Sequence, residues 1–182
     1  MRGGRLRHCL ALTCAALTLP WGPALAEDNL EYAVKAAYLT KFIPFIEWPD
    51  QAPGATPGTP FTICVLGPDP FGAALDHAVA GQKIGDRPLI VRRLQAFDPA
   101  VPCPMVFLAG ADGNDTLEAL KGKPVVTVTD SGQRAHGVIS FVLADNHVRF
   151  DIDDAAAARG GLKISSKLLE LARAVHRREG PP

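Results

Sequence analysis

Four short apolar runs, FTICVL (61–66), PLIVRRL (88–94), PMVFLAG (104–110) and PVVTVTD (124–130), recur along the middle of the chain. Each is too short for a buried helix and rich in β-formers, so each reads as a strand covered on both faces. Between the first two, GPDPFG (67–72) punctuates the chain before FGAALDHAV, where Phe71, Leu75 and Val79 recur at helical spacing. After the third, a short helix over 114–120 stops at Gly122 and Pro124. Apolar strands alternating with helices predict a single-domain α/β fold with a mostly parallel sheet and helices on both faces. Residues 138–153 depart from the rhythm: two strand runs meet at Asp145 and Asn146, near enough to demand an antiparallel hairpin, so the sheet is mixed. Residues 154–178 read as helix, with RGGLKISS at the entrance and LLELARAVHRR as the body, so that a C-terminal β-hairpin plus helix closes the domain.

The first 26 residues stand apart. Arg2, Arg5 and Arg7 open them, an apolar stretch over 9–19 too short for a bilayer span follows, and Ala24, Leu25 and Ala26 form a small-x-small site. This is the order of a secretory signal, and it predicts cleavage before Glu27 and an exported domain over 27–182. Three arginines and no acids leave with the signal, so 16 basic residues face 19 acidic ones, a net charge of −3. Such a chain offers no basic field for nucleic acid. Cys64 and Cys103 remain, and an even pair in an oxidising compartment favours a disulfide, with two buried free thiols as the alternative. A bond closing a loop of about 40 residues would contribute roughly 4 kcal/mol.

KAAYLTKFIPFIEWP (35–49) begins as a helix and gains apolar side chains in nearly every direction. At about 100° per residue, Glu31 and Lys35 share one side, while Thr40 and Glu47 would lie nearly opposite. Pro44 lacks an N–H and its ring would clash with the carbonyl of Thr40, so the helix stops near Ile43 and FIEWP forms a separate turn. Tyr38, Phe42, Phe45 and Trp48 then concentrate aromatic surface within eleven residues, which suits either core packing or a surface for another chain.

An enzyme needs a nucleophile, a base and a stabilising group. His77 and His176 sit on expected helices among charged neighbours, and His136 and His147 occupy a loop and the hairpin turn. None has a histidine or cysteine at metal-ligand spacing. Ser131, Ser165 and Ser166 lie in no G-x-S-x-G elbow, and the last two read as an N-cap for LLELARAV. GPDPFG has the location of a phosphate loop without its glycines or lysine. Asp151, Asp153 and Asp154 of RFDIDD read as a strand end and a helix cap, with no calcium-type loop after them. No catalytic residue, metal or cofactor is therefore expected, and a binding role outranks an enzymatic one. Within binding, a small-molecule module with a pocket at the strand ends near Gly67 and His136 is the alternative to a protein regulator.

YAVKAAYLTKFIPFIEWP, ICVLGPDPFG, PLIVRRL, TVTDSG, VRFDID and AAARGGLKISSKLLELAR, in this order from about Tyr32 to Ala174, resemble the YfiR-like (HmsC-type) family of periplasmic proteins. The opening helix ending in E-W-P and the closing G-L-K-I-S-S-K-L-L are the specific pieces. The resemblance implies a periplasmic α/β homodimer that binds the periplasmic sensor domain of an inner-membrane diguanylate cyclase and represses it, lowering cyclic di-GMP and biofilm formation. It also implies release through sequestration by an outer-membrane lipoprotein with a peptidoglycan-binding domain, and a disulfide between Cys64 and Cys103. The further cysteine pair of some members, in the C-terminal half, has no counterpart in this sequence. A repressor needs a patch that prefers one state of its target. Two patches suggest themselves. Arg159, Leu162, Lys163, Ser165, Ser166, Lys167 and Leu168 combine a charged rim with leucine anchors for a partner, and Tyr38, Phe42, Phe45 and Trp48 offer a dimer or partner surface.

Overall fold

A computed structural model describes residues 24–110, 113–130 and 136–178; the expected signal sequence, up to residue 23, and Ser131 lie outside the described residues. The chain opens with α1 (Ala24–Phe42), a 3-10 turn (Ile43–Phe45) and β1 (Ile46–Glu47). The sheet rhythm follows: β2 (Phe61–Leu66), α2 (Ala73–Val79), β3 (Lys83–Ile84), β4 (Arg87–Leu94), β5 (Met105–Leu108), α3 (Gly113–Leu120) and β6 (Val126–Thr129). Then come β7 (Ile139–Ala144), β8 (His147–Asp153), α4 (Asp154–Arg159), β9 (Lys163–Ile164), α5 (Ser166–Leu171) and β10 (Ala174–His176).

Eight strands form one sheet in the order β10-β8-β7-β6-β5-β2-β4-β3, mixed but mostly parallel, with antiparallel pairs only at β3–β4 and β7–β8. Alternation along the strands divides the core. Ile63, Val65, Met105, Phe107, Val126 and Val128 face α1 and α2, which cover them with Leu39, Phe42 and Leu75. Cys64, Leu66, Val106 and Leu108 point to the other face, beneath Leu117 and Leu120 of α3. Each of these large side chains contributes about 1.5–3 kcal/mol by leaving water. Cys64 and Cys103, both buried on the α3 side, are joined in a disulfide.

The apolar runs became strands at nearly the expected bounds, and the hairpin turns where expected: Asp145 and Asn146 both adopt positive φ, as a two-residue type I′ turn requires. Pro44 ends α1 at Phe42. The connection from β6 to β7 is unusual. Parallel neighbours normally need a crossover of a dozen or more residues, yet only 130–138 separate these two. Two threonines hold the last residues of this connection. Thr127 Oγ1 accepts from the Val138 amide at 3.0 Å and Thr129 Oγ1 from the Gly137 amide at 3.2 Å, so the returning backbone bonds to β6 side chains. Gly137 is required there, because a Cβ would lie 2.5 Å from the Thr127 carbonyl oxygen.

The last segment corrects the expectation of one helix over 154–178. Two glycines break it after α4, and Gly161 takes the positive φ of a helix stop. Lys163 and Ile164 then extend to pair with β1, and α5 lasts only to Leu171. Residues 174–176 join the sheet edge beside β8, secured by the Arg173 amide donating to the Phe150 carbonyl at 2.8 Å and by the Arg173–Asp151 ion pair. Edge pairing outweighs the helical periodicity of LARAVHR.

Candidate partner-binding surface

The two most distinctive stretches of the sequence meet in space. Ile46 pairs with Ile164 and Glu47 with Lys163 in an antiparallel two-stranded ribbon, which the Ser165 amide extends by donating to the Phe45 carbonyl at 2.9 Å. Alternation sorts the ribbon: both isoleucines are buried, while Glu47 and Lys163 stand 76% exposed on the outer side and form an ion pair at 3.5 Å. Ser165 then caps α5, its hydroxyl accepting from the Leu168 amide at 3.4 Å. Ser166, Lys167, Glu170 and Leu171 follow in the exposed or partly exposed first turns of that helix, and Leu171 is 68% exposed. Together with Pro44 and Gly161, these residues present mixed charge around one apolar side chain, the composition of an interface rim and anchor.

The expected partner residues divide on this surface. Arg159, Lys163, Ser166 and Lys167 are exposed and Ser165 half-buried, but Leu162 and Leu168 are buried in the core and offer no side-chain surface. Leu171 is the exposed leucine instead. Of the aromatic group, Phe42 is closed off among Tyr38, Phe141 and Phe150, with ring centroids 4.9–6.0 Å away. Tyr38, Phe45 and Trp48 are half-buried; Trp48 packs edge-on against Phe61 and its Nε1 donates to the Pro104 carbonyl at 3.1 Å. Core packing thus accounts for most of this cluster. Glu47, Glu170 and Leu171 were not among the residues expected on this surface; for Glu47 the signal is the inside-outside alternation shared by I-E and K-I, visible only once the two dipeptides are known to pair.

The polar side of α1 turns inward. Lys35 is 1% exposed and its ammonium contacts both Glu31 and Asp130, while the Tyr32 hydroxyl donates to Asp130 at 2.9 Å. Leu30 and Val34 face solvent instead. This cluster caps the end of β6, among the strand ends where a sheet of this kind would hold a ligand. At the neighbouring ends of β2 and β5 the two backbones approach closely, since the Ala109 amide donates to the Leu66 carbonyl at 2.8 Å and a Cβ at Gly67 would lie 2.6 Å from the Ala109 carbonyl oxygen. Among the described residues, Gly67 and His136 are not brought together: His136 lines a cavity with Lys121 and Val125 where β6 begins, at the opposite end of the sheet. The aspartates of RFDIDD serve structure, Asp151 pairing with Arg173, Asp153 capping α4 through the Ala156 amide at 2.6 Å, and Asp154 binding Arg178 at 2.8 Å. Among the described residues, no group of three or more His, Cys, Asp or Glu is placed to hold a metal ion.

A family model described as YfiR/HmsC-like matches residues 32–173, which span α1 to the end of α5 and include both strands of the ribbon. No curated protein matches the chain.

Proposed function

The chain belongs to the YfiR/HmsC-like family, and from that premise we propose that it is a periplasmic regulator, not an enzyme, that binds the periplasmic sensor domain of an inner-membrane diguanylate cyclase. Binding holds the cyclase in its less active state and lowers cyclic di-GMP and biofilm formation; capture of the regulator by an outer-membrane peptidoglycan-binding lipoprotein releases it. The observation that carries this role is the β1–β9 ribbon, which pairs E-W-P with G-L-K-I-S-S and leaves Glu47 and Lys163 exposed side by side. Physical chemistry supports it further: a regulator shifts a partner's equilibrium only by differential affinity, so a surface suffices and no reacting group is needed.

The test pairs binding with signalling. Lys167→Glu together with Leu171→Asp should leave the unfolding midpoint near that of the parent, because both side chains are exposed. It should weaken the complex with the detergent-solubilised cyclase at least about tenfold, as loss of an anchor costs 1.4 kcal/mol or more, and raise cellular cyclic di-GMP to the level of a gene deletion. A parent protein that forms no complex, or a deletion that leaves cyclic di-GMP unchanged, rules the role out.

A further inference from the structure

We propose that the cavity between α3 and α4 binds a small organic anion, a carboxylate or a phosphate ester, through Lys123 and Arg159. The cavity measures about 220 Å³ and lies where β6 begins, with Leu117, Leu120 and Val125 forming an apolar wall. Cationic side chains reach it from two separate places, Lys121 and Lys123 from the turn after α3 and Arg159 from the last position of α4, and the His136 ring lines it from the segment entering β7.

Internal pairing does not consume this charge. The two carboxylates that border the cavity are already engaged, Glu118 with Lys121 at 3.3 Å and Asp153 with the Ala156 amide at 2.6 Å. Lys123, His136 and Arg159 have no carboxylate partner among the described residues. Their convergence is built into the backbone. A Cβ at Gly160 would lie 2.4 Å from the Lys123 carbonyl oxygen, so only glycine lets the end of α4 close against the turn that carries Lys123. Like charges brought together beside an apolar wall repel, and an anion with a short apolar body relieves the repulsion while covering the wall. The volume is below the roughly 300–1,000 Å³ of sites for drug-sized ligands, so the occupant is a fragment-sized molecule. Binding here does not require the regulator role, although Arg159 and Lys163 share the RGGLK run and so connect the cavity to the ribbon.

Titration with butyrate, inorganic phosphate and neutral butyramide, followed by amide NMR, tests the site. Butyrate or phosphate should give saturable shifts at 121–125, 136–138 and 156–161, and butyramide should give none. Butyrate alone acting assigns a carboxylate with an apolar tail; phosphate alone acting assigns a phosphate ester. Arg159→Gln and Lys123→Gln should each weaken binding about tenfold, the loss expected for one charge-assisted hydrogen bond. Because both side chains are exposed, the variant spectra should otherwise match the parent. The site is overturned if neither anion gives saturable shifts, if butyramide binds as well as butyrate, or if both variants bind like the parent.

Discussion

Two lysine–carboxylate contacts tie the opening segment to distant parts of the chain, and they sit at opposite extremes. Lys35 is 1% exposed and is shared between Glu31 and Asp130, whereas Lys163 and Glu47 are each 76% exposed. The first contact gave up hydration on folding, which costs several kcal/mol per ion, and the Lys35 ammonium offsets that cost by lying against both carboxylates. The second stays in water, where such a pair contributes about 0–1 kcal/mol. Burial therefore assigns them different work. A buried pair commits its charges to holding α1 on the sheet; a surface pair, adding little to folding, leaves its charges free to meet a partner.

Breaking the buried contact should have the largest effect. Lys35→Met keeps the length of the side chain but leaves Glu31 and Asp130, 22% and 11% exposed, without their shared cation. Removing one partner of a buried pair typically costs about 3–5 kcal/mol. Urea denaturation should show that loss as a lower midpoint. Equal destabilisation by Lys35→Met and by a substitution at Lys163 would break the comparison.

The same contrast shows what a sequence can and cannot reveal. FTICVL, PMVFLAG and the Asp145–Asn146 turn were legible because their signals are local: a continuous apolar run, or two residues that tolerate positive φ. Pro44 was legible for the same reason, since it ends a helix through its own ring. Lys35 was not. On a helical wheel it marks a polar side, and only Asp130, 95 residues later, turns that side inward and sends Leu30 and Val34 to the solvent. The ribbon and β10 were hidden likewise, because two- and three-residue strands carry no periodicity of their own and exist through their partners. Of the candidate surface, the sequence pointed to Lys163, Ser166 and Lys167, which the fold leaves exposed, while its opposite strand required the pairing of Glu47 with Lys163.

Arg93 offers an intermediate case. It is 38% exposed, donates to Asp69 at 2.6 Å and to Asp76 at 2.8 Å, and joins the end of β4 to the start of α2. The hydrogen bond from Arg93 holds the Asp76 carboxyl below its ordinary range, against a smaller opposing effect of burial. A carboxyl with a lowered folded pKa stabilises fully above its unfolded value of about 3.9, and that stability is lost as pH falls through the folded value. Arg93→Met should thus lower stability at neutral pH by less than Lys35→Met does, and should flatten the decline below about pH 4. Urea midpoints taken from pH 7 downwards measure both; an unchanged acid limb would detach Asp76 from this role.

The smallest effect on folding should come from exchanging the exposed pair. Glu47→Lys with Lys163→Glu keeps opposite charges facing each other across the ribbon, so the unfolding free energy should stay within about 0.5 kcal/mol of the parent, as at most surface positions. Each single change places like charges opposite one another and should cost slightly more than the exchange. The exchange inverts what the surface presents, however, and a partner that reads its polarity would meet like charge where it expects unlike. Binding to the cyclase should then fall in the exchanged variant although its fold and internal ion pair survive. Restored binding in the exchange, with loss only in the singles, would mean that the pair serves the ribbon's geometry and that recognition belongs to Lys167 and Leu171 on α5.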